Sequence, residues 1–405
     1  MGKLASRAAK TMAPCSPLAD RLIRARMPEI DTLRGVAILG VLFLHGFYWQ
    51  YPSFHFAGVE RWFFLATKAG WLGVNLFFVL SGFLITGILL DTKGQPGYYR
   101  HFYTRRALRI LPAYYALLAL LLVLRQLSTS YFCLSFIYLS NVTVLLGVAN
   151  DYGPLWSLAV EEHYYIVWPT LVRRLSPAMV GFLALSICIV EPILRAGAFS
   201  LGYDRGLALY TWFVADGLAT GSVLAAVLRT SIPRTGVKVI CGLILVGSFA
   251  ASAAGRGRGI LRRDNLLGAA LQHTVIDAAF AGTLLLFLLL GSGPWRPSVS
   301  SRALRLCGYI SYGLYLIHLL VFRLYDRVIG SLCPSLLPFD GRFGLIALRF
   351  VCAASVSAGI AYASRRFFEE RFLRLRRTET QIGPLPPARF LTPAKPALQR
   401  NGGSL

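Results

Sequence analysis

The sequence predicts an all-α integral membrane protein with about ten transmembrane helices and both termini in the cytoplasm. The first observation is composition, because 56% of the 405 residues are hydrophobic and only 15% are charged, whereas soluble domains are about 25% charged. The second is a series of apolar runs near the length of about 20 residues that a spanning helix needs. The third is the placement of the basic residues between those runs.

Ten apolar runs are the candidate spans, and an eleventh, over 131–148, is interpreted as re-entrant or interfacial. The ten runs cover 33–49, 70–90, 110–124, 156–172, 178–195, 208–229, 237–254, 270–291, 306–325 and 343–363. Several of these runs are short and need their flanking residues to complete a span of about 20 residues.

Basic residues set the predicted orientation. With the N-terminus inside, 28 of the 42 Lys and Arg residues fall on the cytoplasmic side and 12 on the outer side. This bias follows the positive-inside rule and predicts a multi-pass protein of the cell (inner) membrane. The outer loop 255–263 is the exception, because it holds four arginines. That loop either binds an anion or marks an error in the span count.

The net charge of +24 is accounted for by this topology, so the lipid bilayer is an expected partner and nucleic acid is not. Seven cysteines show no metal-ligand spacing, and we expect neither a metal nor a disulfide framework. Three regions are predicted: a basic cytoplasmic segment over 1–29, a transmembrane domain over 30–370, and a tail over 371–405. The tail is basic, then Pro-rich, and is expected to be largely disordered.

Ionisable residues inside the first span are candidates for function, because charges in a membrane are costly. Arg34 and His45 lie eleven residues apart, which places them on one helix face, about 16 Å apart along the axis. Asp31 precedes Arg34 by one helical turn and is close enough to pair with it. The alternative is that Arg34 extends to the inner interface and His45 packs against another helix.

The fourth and ninth spans add further polar groups. Ser157 and Glu161 share a helix face, and Glu161 is predicted at roughly the depth of His45. A carboxylate beside an imidazole orients it for general-base catalysis, so we expect Glu161 to orient His45. His318 would either border an acceptor cavity or serve packing alone.

Arginines also cluster in a predicted inner loop. Arg105, Arg106 and Arg109 precede Pro112, and guanidinium groups bind phosphates by bidentate contacts. The alternative is that these charges only determine topology.

Five segments, in order, match a known pattern: IDTLRGVAILGVLFLH, GVNLFFVLSGFLI, FYTRRALRILPAYY, PLWSLAVEEHYYIVWP and GYISYGLYLIH. Together they resemble the membrane acyltransferase type 3 family, which includes surface-polysaccharide O-acetyltransferases and macrolide acyltransferases. The resemblance covers about residues 30–370. It implies transfer of an acyl group from cytoplasmic acyl-CoA, most often acetyl-CoA, to a hydroxyl of a sugar, a glycan or a glycosylated metabolite.

The resemblance also implies roles for single residues. Arg34 and His45 match the family's essential pair, and with Glu161 they are the expected catalytic residues. The arginine motif falls on Arg105, Arg106 and Arg109, the expected acyl-CoA site. Ser157 and Glu161 match the family's S-x-x-x-E motif. Apart from the resemblance, we expect Ser157, Trp156 and His318 to contact the substrate. Some members carry an Arg two residues before the Asp of the sixth span, where this chain has Val214 before Asp216, so Asp216 receives no role.

Two hypotheses follow. In the first, His45 takes the proton from an acceptor hydroxyl, which attacks the thioester directly, or an acyl-enzyme forms on the nearby Ser157. In the second, the chain is a transporter or flippase for an anionic or glycan-linked substrate and consumes no acyl-CoA. The absence of an evident internal repeat argues against transport. The sequence does not indicate an oligomeric state.

Overall fold

A computed structural model describes residues 22–24, 27–51, 56–230, 232–295, 299–336 and 342–372. Within these ranges the chain is helical and contains no strand. Of the predicted segments 1–29 and 371–405, only residues 22–24, 27–29, 371 and 372 lie within the described residues.

Apolar runs fold into helices because a helix satisfies its own backbone hydrogen bonds, which lipid cannot do. In chain order the helices are α1 (Pro28–Phe43), which continues into a π-helical turn (Leu44–Tyr48), α2 (Gly58–Lys68), α3 (Leu72–Thr92), α4 (Tyr98–Val123), α5 (Thr129–Phe136), α6 (Leu155–Arg174), α7 (Pro177–Ser200), α8 (Asp216–Val227), α9 (Arg234–Ala254), α10 (Leu266–Gly291), α11 (Arg302–Leu332) and α12 (Phe343–Ala363).

The described residues contain eight helical stretches long and apolar enough to cross a membrane. The predicted spans fall largely within helices, although 208–229 begins in a turn and contains the four-residue helix Thr211–Val214 before α8. Neither α6, which is polar around Glu161, Glu162 and His163, nor the 12-residue α8 is among the eight. The run 131–148 holds the 8-residue α5 and a single 3-10 turn, which are too short to span. The chain is therefore an all-α, multi-pass membrane protein.

One prediction of local structure was wrong. The arginine cluster was expected in a loop, yet α4 begins at Tyr98 and runs through Pro112. Charge and proline favour a loop in an isolated segment, because proline removes one backbone donor. Contacts with neighbouring helices override this preference. In one of them the Tyr312 hydroxyl donates to the Ile110 carbonyl oxygen at 2.8 Å.

The helices of the bundle approach one another at glycines. A Cβ atom on Gly82 of α3 would overlap the backbone of Leu218 in α8, and one on Gly308 of α11 would overlap the backbone of Asp31 in α1. Small residues of this kind let membrane helices pack closely where lipid removes the hydrophobic drive for association.

α1 and α11 form the pair that bears most on the site. Their contacts run from Asp31 and Gly308 at one end to His45 and His318 at the other. The two helices therefore run in the same direction. That is the expected arrangement for the first and ninth predicted spans, which both start on the cytoplasmic side.

Gly82→Ala tests the close packing. We expect the added methyl group to lower the free energy of unfolding by about 1–3 kcal/mol, the usual cost of overpacking. The matched control is Gly247→Ala in α9, where a Cβ atom would meet nothing within 4 Å. Thermal unfolding in detergent measures both variants. Equal unfolding temperatures would contradict the packing that places α3 against α8.

Candidate functional site

A cavity of about 300 Å³ lies among α1, α3, α4, α6 and α11. One part of its lining is apolar and comes mainly from α3, including Phe77, Phe78 and Leu84. The other part is polar and consists of Arg34, Ser81, Arg106, Arg109, Ser157, Glu161, Ser311, Tyr312 and Tyr315. The structure thus brings together five of the residues predicted from sequence, namely Arg34, Arg106, Arg109, Ser157 and Glu161.

Glu161 is fully engaged on the cavity wall. It accepts hydrogen bonds from the Ser81 hydroxyl at 3.0 Å and from the Tyr165 hydroxyl at 3.1 Å. Its carboxylate also lies 3.9 Å from the guanidinium of Arg106. Arg106 in turn stacks on Tyr165, with its Cζ atom 3.3 Å from the ring centroid. Glu161 therefore compensates the charge of Arg106 in apolar surroundings, where an unpaired charge is costly.

Arg34 and Arg109 differ from Arg106. Among the described residues, neither makes a hydrogen bond or an ion pair within 4.0 Å, although both line the cavity. The predicted pairing of Arg34 with Asp31 does not occur at that distance. Two guanidinium groups without a partner beside an apolar wall suit a ligand that carries an anionic group and an apolar or neutral arm.

His45 lies in the π-helical turn that follows α1. Its Nδ1 atom is 2.9 Å from the Val41 carbonyl oxygen and 3.3 Å from Nε2 of His318. His318 is buried, and its own Nδ1 atom is 2.8 Å from the Tyr315 carbonyl oxygen. A carbonyl oxygen only accepts, so both Nδ1 atoms carry the proton in the neutral rings. This assignment, inferred from the hydrogen bonds, leaves a lone pair on Nε2 of His45, as a general base requires.

The predicted pairing of Glu161 with His45 was wrong. Glu161 contacts α3 and α4, whereas His45 is oriented by Val41 of its own helix and by His318 of α11. Helical periodicity estimates how deep a residue lies in the membrane. It does not determine which neighbouring helix that residue faces. The direction in which Glu161 faces around the axis of α6 decided its contacts.

Of three other predicted residues, Ser157 lies in the cavity lining, whereas Trp156 and Arg105 lie outside it. Ser157 lines the cavity, and its hydroxyl oxygen is 2.7 Å from the Tyr315 hydroxyl. Trp156 is not part of the lining and packs edge-on against Phe78, with ring centroids 6.0 Å apart. Arg105 and Arg109, one helical turn apart, are both exposed, but only Arg109 is part of the cavity lining. Arg34 lines the cavity together with Arg106 and Arg109.

Tyr315 connects the cavity to the histidine pair. Its hydroxyl group contacts Ser157 on the cavity wall, and its backbone oxygen holds the ring of His318. The candidate site therefore has two parts, an arginine-lined cavity and a histidine pair, with Tyr315 at the boundary between them.

A second buried polar cluster escaped the sequence interpretation. Asp216 of α8 pairs with Arg195 of α7 at 2.8 Å, and both are buried. Glu191 of α7 accepts a hydrogen bond from the backbone N–H of Asp216 at 2.8 Å. The arginine expected two residues before Asp216 is thus replaced by one from the preceding helix. Glu191 and Arg195, four residues apart within an apolar run, were the available sequence signal.

In the part of the chain that the structure describes, no group of three or more His, Cys, Asp or Glu side chains has an arrangement that could hold a metal ion. The six cysteines within the described ranges are unpaired.

Comparison with known proteins gives one family match. The family model described as "Acyltransferase domain" matches residues 27–365, which contain every residue of the candidate site. No solved structure gives a significant match to this chain.

Relatives of this chain include O-acetyltransferases from several bacteria. Peptidoglycan O-acetyltransferase OatA of Listeria monocytogenes is 27% identical over 352 residues, which cover 78% of this chain and 52% of the relative. Putative peptidoglycan O-acetyltransferase YrhL of Bacillus subtilis is 28% identical, with coverages of 72% and 48%. A putative O-acetyltransferase of Staphylococcus aureus is 29% identical over 202 residues, with coverages of 44% and 31%. The chain spans about half the length of the first two relatives or less.

Proposed function

The chain belongs to the acyltransferase domain family, and we propose that it is a membrane O-acetyltransferase that moves an acetyl group from cytoplasmic acyl-CoA to a hydroxyl of a sugar or glycan. One observation carries the choice of donor. The cavity presents two guanidinium groups, those of Arg34 and Arg109, that have no partner among the described residues.

Acyl-CoA fits this cavity chemically. Its phosphates match the guanidinium groups of Arg34 and Arg109, and its long neutral arm matches the apolar wall of α3. Ligand pockets range from about 300 to 1,000 Å³, so a cavity of about 300 Å³ would hold only part of the donor. On the predicted topology α4 begins on the cytoplasmic side, which places Arg106 and Arg109 where a cytoplasmic donor would enter.

The proposed reaction uses His45 as the general base. Nε2 of His45 accepts the proton of the acceptor hydroxyl while the hydroxyl oxygen attacks the thioester carbonyl carbon. The bond between that carbon and sulfur then breaks, and the leaving CoA thiolate takes the proton back from His45. The step consumes one acyl-CoA and one hydroxyl and yields one ester and one free CoA thiol.

Direct transfer is favoured over an acyl-enzyme on Ser157. A serine nucleophile needs an adjacent base, but the Ser157 hydroxyl contacts the Tyr315 phenol at 2.7 Å and the Pro154 carbonyl oxygen at 3.4 Å. Neither group takes a proton readily. Ser157 and Tyr315 are better suited to contact the donor at the boundary of the cavity.

The acceptor is proposed as a glycan hydroxyl. Two relatives are named as acting on peptidoglycan, one of them putatively, so the sugars of peptidoglycan are the first acceptors to test on this chain. The transporter alternative gains no support from the relatives.

His45→Ala tests the base. We expect kcat for acetyl transfer from acetyl-CoA to peptidoglycan fragments to fall by at least about 100-fold, because general-base catalysis contributes about 10²–10⁴-fold. CoA binding should persist, because His45 lies outside the cavity lining. His101→Ala removes an exposed histidine from α4 and is the matched control. Undiminished transfer by the His45 variant would end this mechanism.

Arg109→Gln tests the donor site. We expect KM for acetyl-CoA to rise by about tenfold or more, since a hydrogen bond to a charged group contributes about 1.5–3 kcal/mol. Arg100→Gln controls for the loss of charge. It removes an exposed arginine of the same helix that is not part of the cavity lining. Initial rates at varied acetyl-CoA give both constants. An equal effect of the two substitutions would show that only the overall charge matters.

A further inference from the structure

Arg349 is a buried arginine for which the reaction above has no use. It lies in α12, and its side chain is 1% exposed. Its guanidinium group makes a bidentate pair with Asp326 of α11, with N–O distances of 2.5 and 2.7 Å. It also packs over the ring of Phe322, with Cζ 4.9 Å from the centroid. The group is therefore held rigidly on several sides.

One further contact of Arg349 reaches the turn that carries His45. Its Nη1 atom donates to the Gly46 carbonyl oxygen at 3.3 Å. In this turn the Trp49 N–H bonds back to the Leu44 carbonyl over five residues, at 3.0 Å, and the chain leaves the helix directly afterwards. Carbonyl groups in the last turn of a helix lack intrahelical donors, and a cation there is favourable. Arg349 caps the helix end next to His45.

The partner helix supports the same turn with three residues spaced by four. His318, Phe322 and Asp326 lie along one face of α11. His318 contacts the His45 ring, and Asp326 holds Arg349. Phe322 and Phe350 of α12 both lie against Gly46, where an added Cβ atom would overlap the Phe350 ring and come 3.2 Å from the Phe322 ring. The turn is thus fixed on its ring side by His318 and on its backbone side by Phe322, Phe350 and Arg349.

We propose that Arg349, held by Asp326, is a positioning residue that fixes the π-helical turn and thereby the direction of the His45 ring. The proposal rests on the proposed function, because it takes His45 to be the base. π-Helical turns occur frequently at functional sites, and they need support because their hydrogen bonding departs from that of the α-helix. A displacement of a catalytic group by about 1 Å can lower the rate by about 100-fold. Loss of the hydrogen bond from Arg349 to Gly46 should therefore lower kcat.

The main test replaces the whole ion pair. Arg349→Met with Asp326→Leu exchanges a buried pair for apolar residues, a change that folded proteins often tolerate, and removes the cap on Gly46. We expect kcat for acetyl transfer to peptidoglycan fragments to fall by about 100-fold, with KM for acetyl-CoA unchanged. Hydrogen exchange at residues 44–49 should become faster. Arg349→Lys keeps the charge without the bidentate pair and should lose less activity.

Arg323→Met is the matched control. Arg323 lies in the same helix as Asp326, donates to the Asp151 carbonyl oxygen at 2.8 Å and packs over Tyr152, but it does not contact the His45 turn. Its loss should leave kcat and exchange at residues 44–49 unchanged.

The outcomes separate the two claims. The positioning role would be overturned if the double variant kept the kcat of the wild-type protein and its hydrogen exchange at residues 44–49. That conclusion would hold even if His45→Ala were inactive. A wild-type protein without acetyl transfer would overturn the proposed function. Hydrogen exchange at residues 44–49 would then still decide whether Arg349 fixes the turn.

Discussion

The hydrogen bond between Nδ1 of His45 and the Val41 carbonyl oxygen, at 2.9 Å, is the interaction on which the account depends. It assigns the proton of the neutral ring to Nδ1 and leaves a lone pair on Nε2, which the proposed base needs. In serine hydrolases a buried carboxylate has this orienting role. Here a backbone carbonyl one turn earlier takes it, assisted by His318. A neutral orienting group suits a membrane interior, because it adds no charge that must be compensated there.

The arginines discussed above fall into two groups. Three are paired with a carboxylate of another helix, namely Arg106 with Glu161, Arg195 with Asp216, and Arg349 with Asp326. Each of these pairs joins two helices and so also stabilises their relative position. Arg34 and Arg109, in contrast, face the cavity without a partner within the described ranges. The paired arginines therefore stabilise the packing of the helices, whereas Arg34 and Arg109 are available to bind a ligand.

Much of the fold and part of the site could be predicted from sequence. Long apolar runs gave the helices, because lipid admits few alternatives for the backbone. Periodicity and family resemblance identified Arg34, His45, Arg106, Arg109, Ser157 and Glu161, and His318 was found through its place in an apolar run. The contact between His45 and His318 joins residues 273 positions apart. It could not be predicted, because one sequence does not specify which faces of two helices meet.

The wrong pairing has a clear physical origin. Glu161 was assigned to His45 by depth, but the contact depended on the rotation of α6 about its axis relative to its neighbours. The pairings of Arg195 with Asp216 and of Arg349 with Asp326 were missed for the same reason, since the partner of each lies on another helix. The π-helical turn at His45 left no evident signal in the sequence.

Nitrogen-15 NMR of the His45 ring, in full-length protein labelled at histidine, tests the central claim most directly. Comparison with His45→Gln assigns the signal. We expect a neutral ring near pH 7 with the proton on Nδ1 and a lone pair on Nε2. A proton on Nε2 with an unprotonated Nδ1 would contradict it, because that ring could not donate to Val41 and could not act as the base through Nε2.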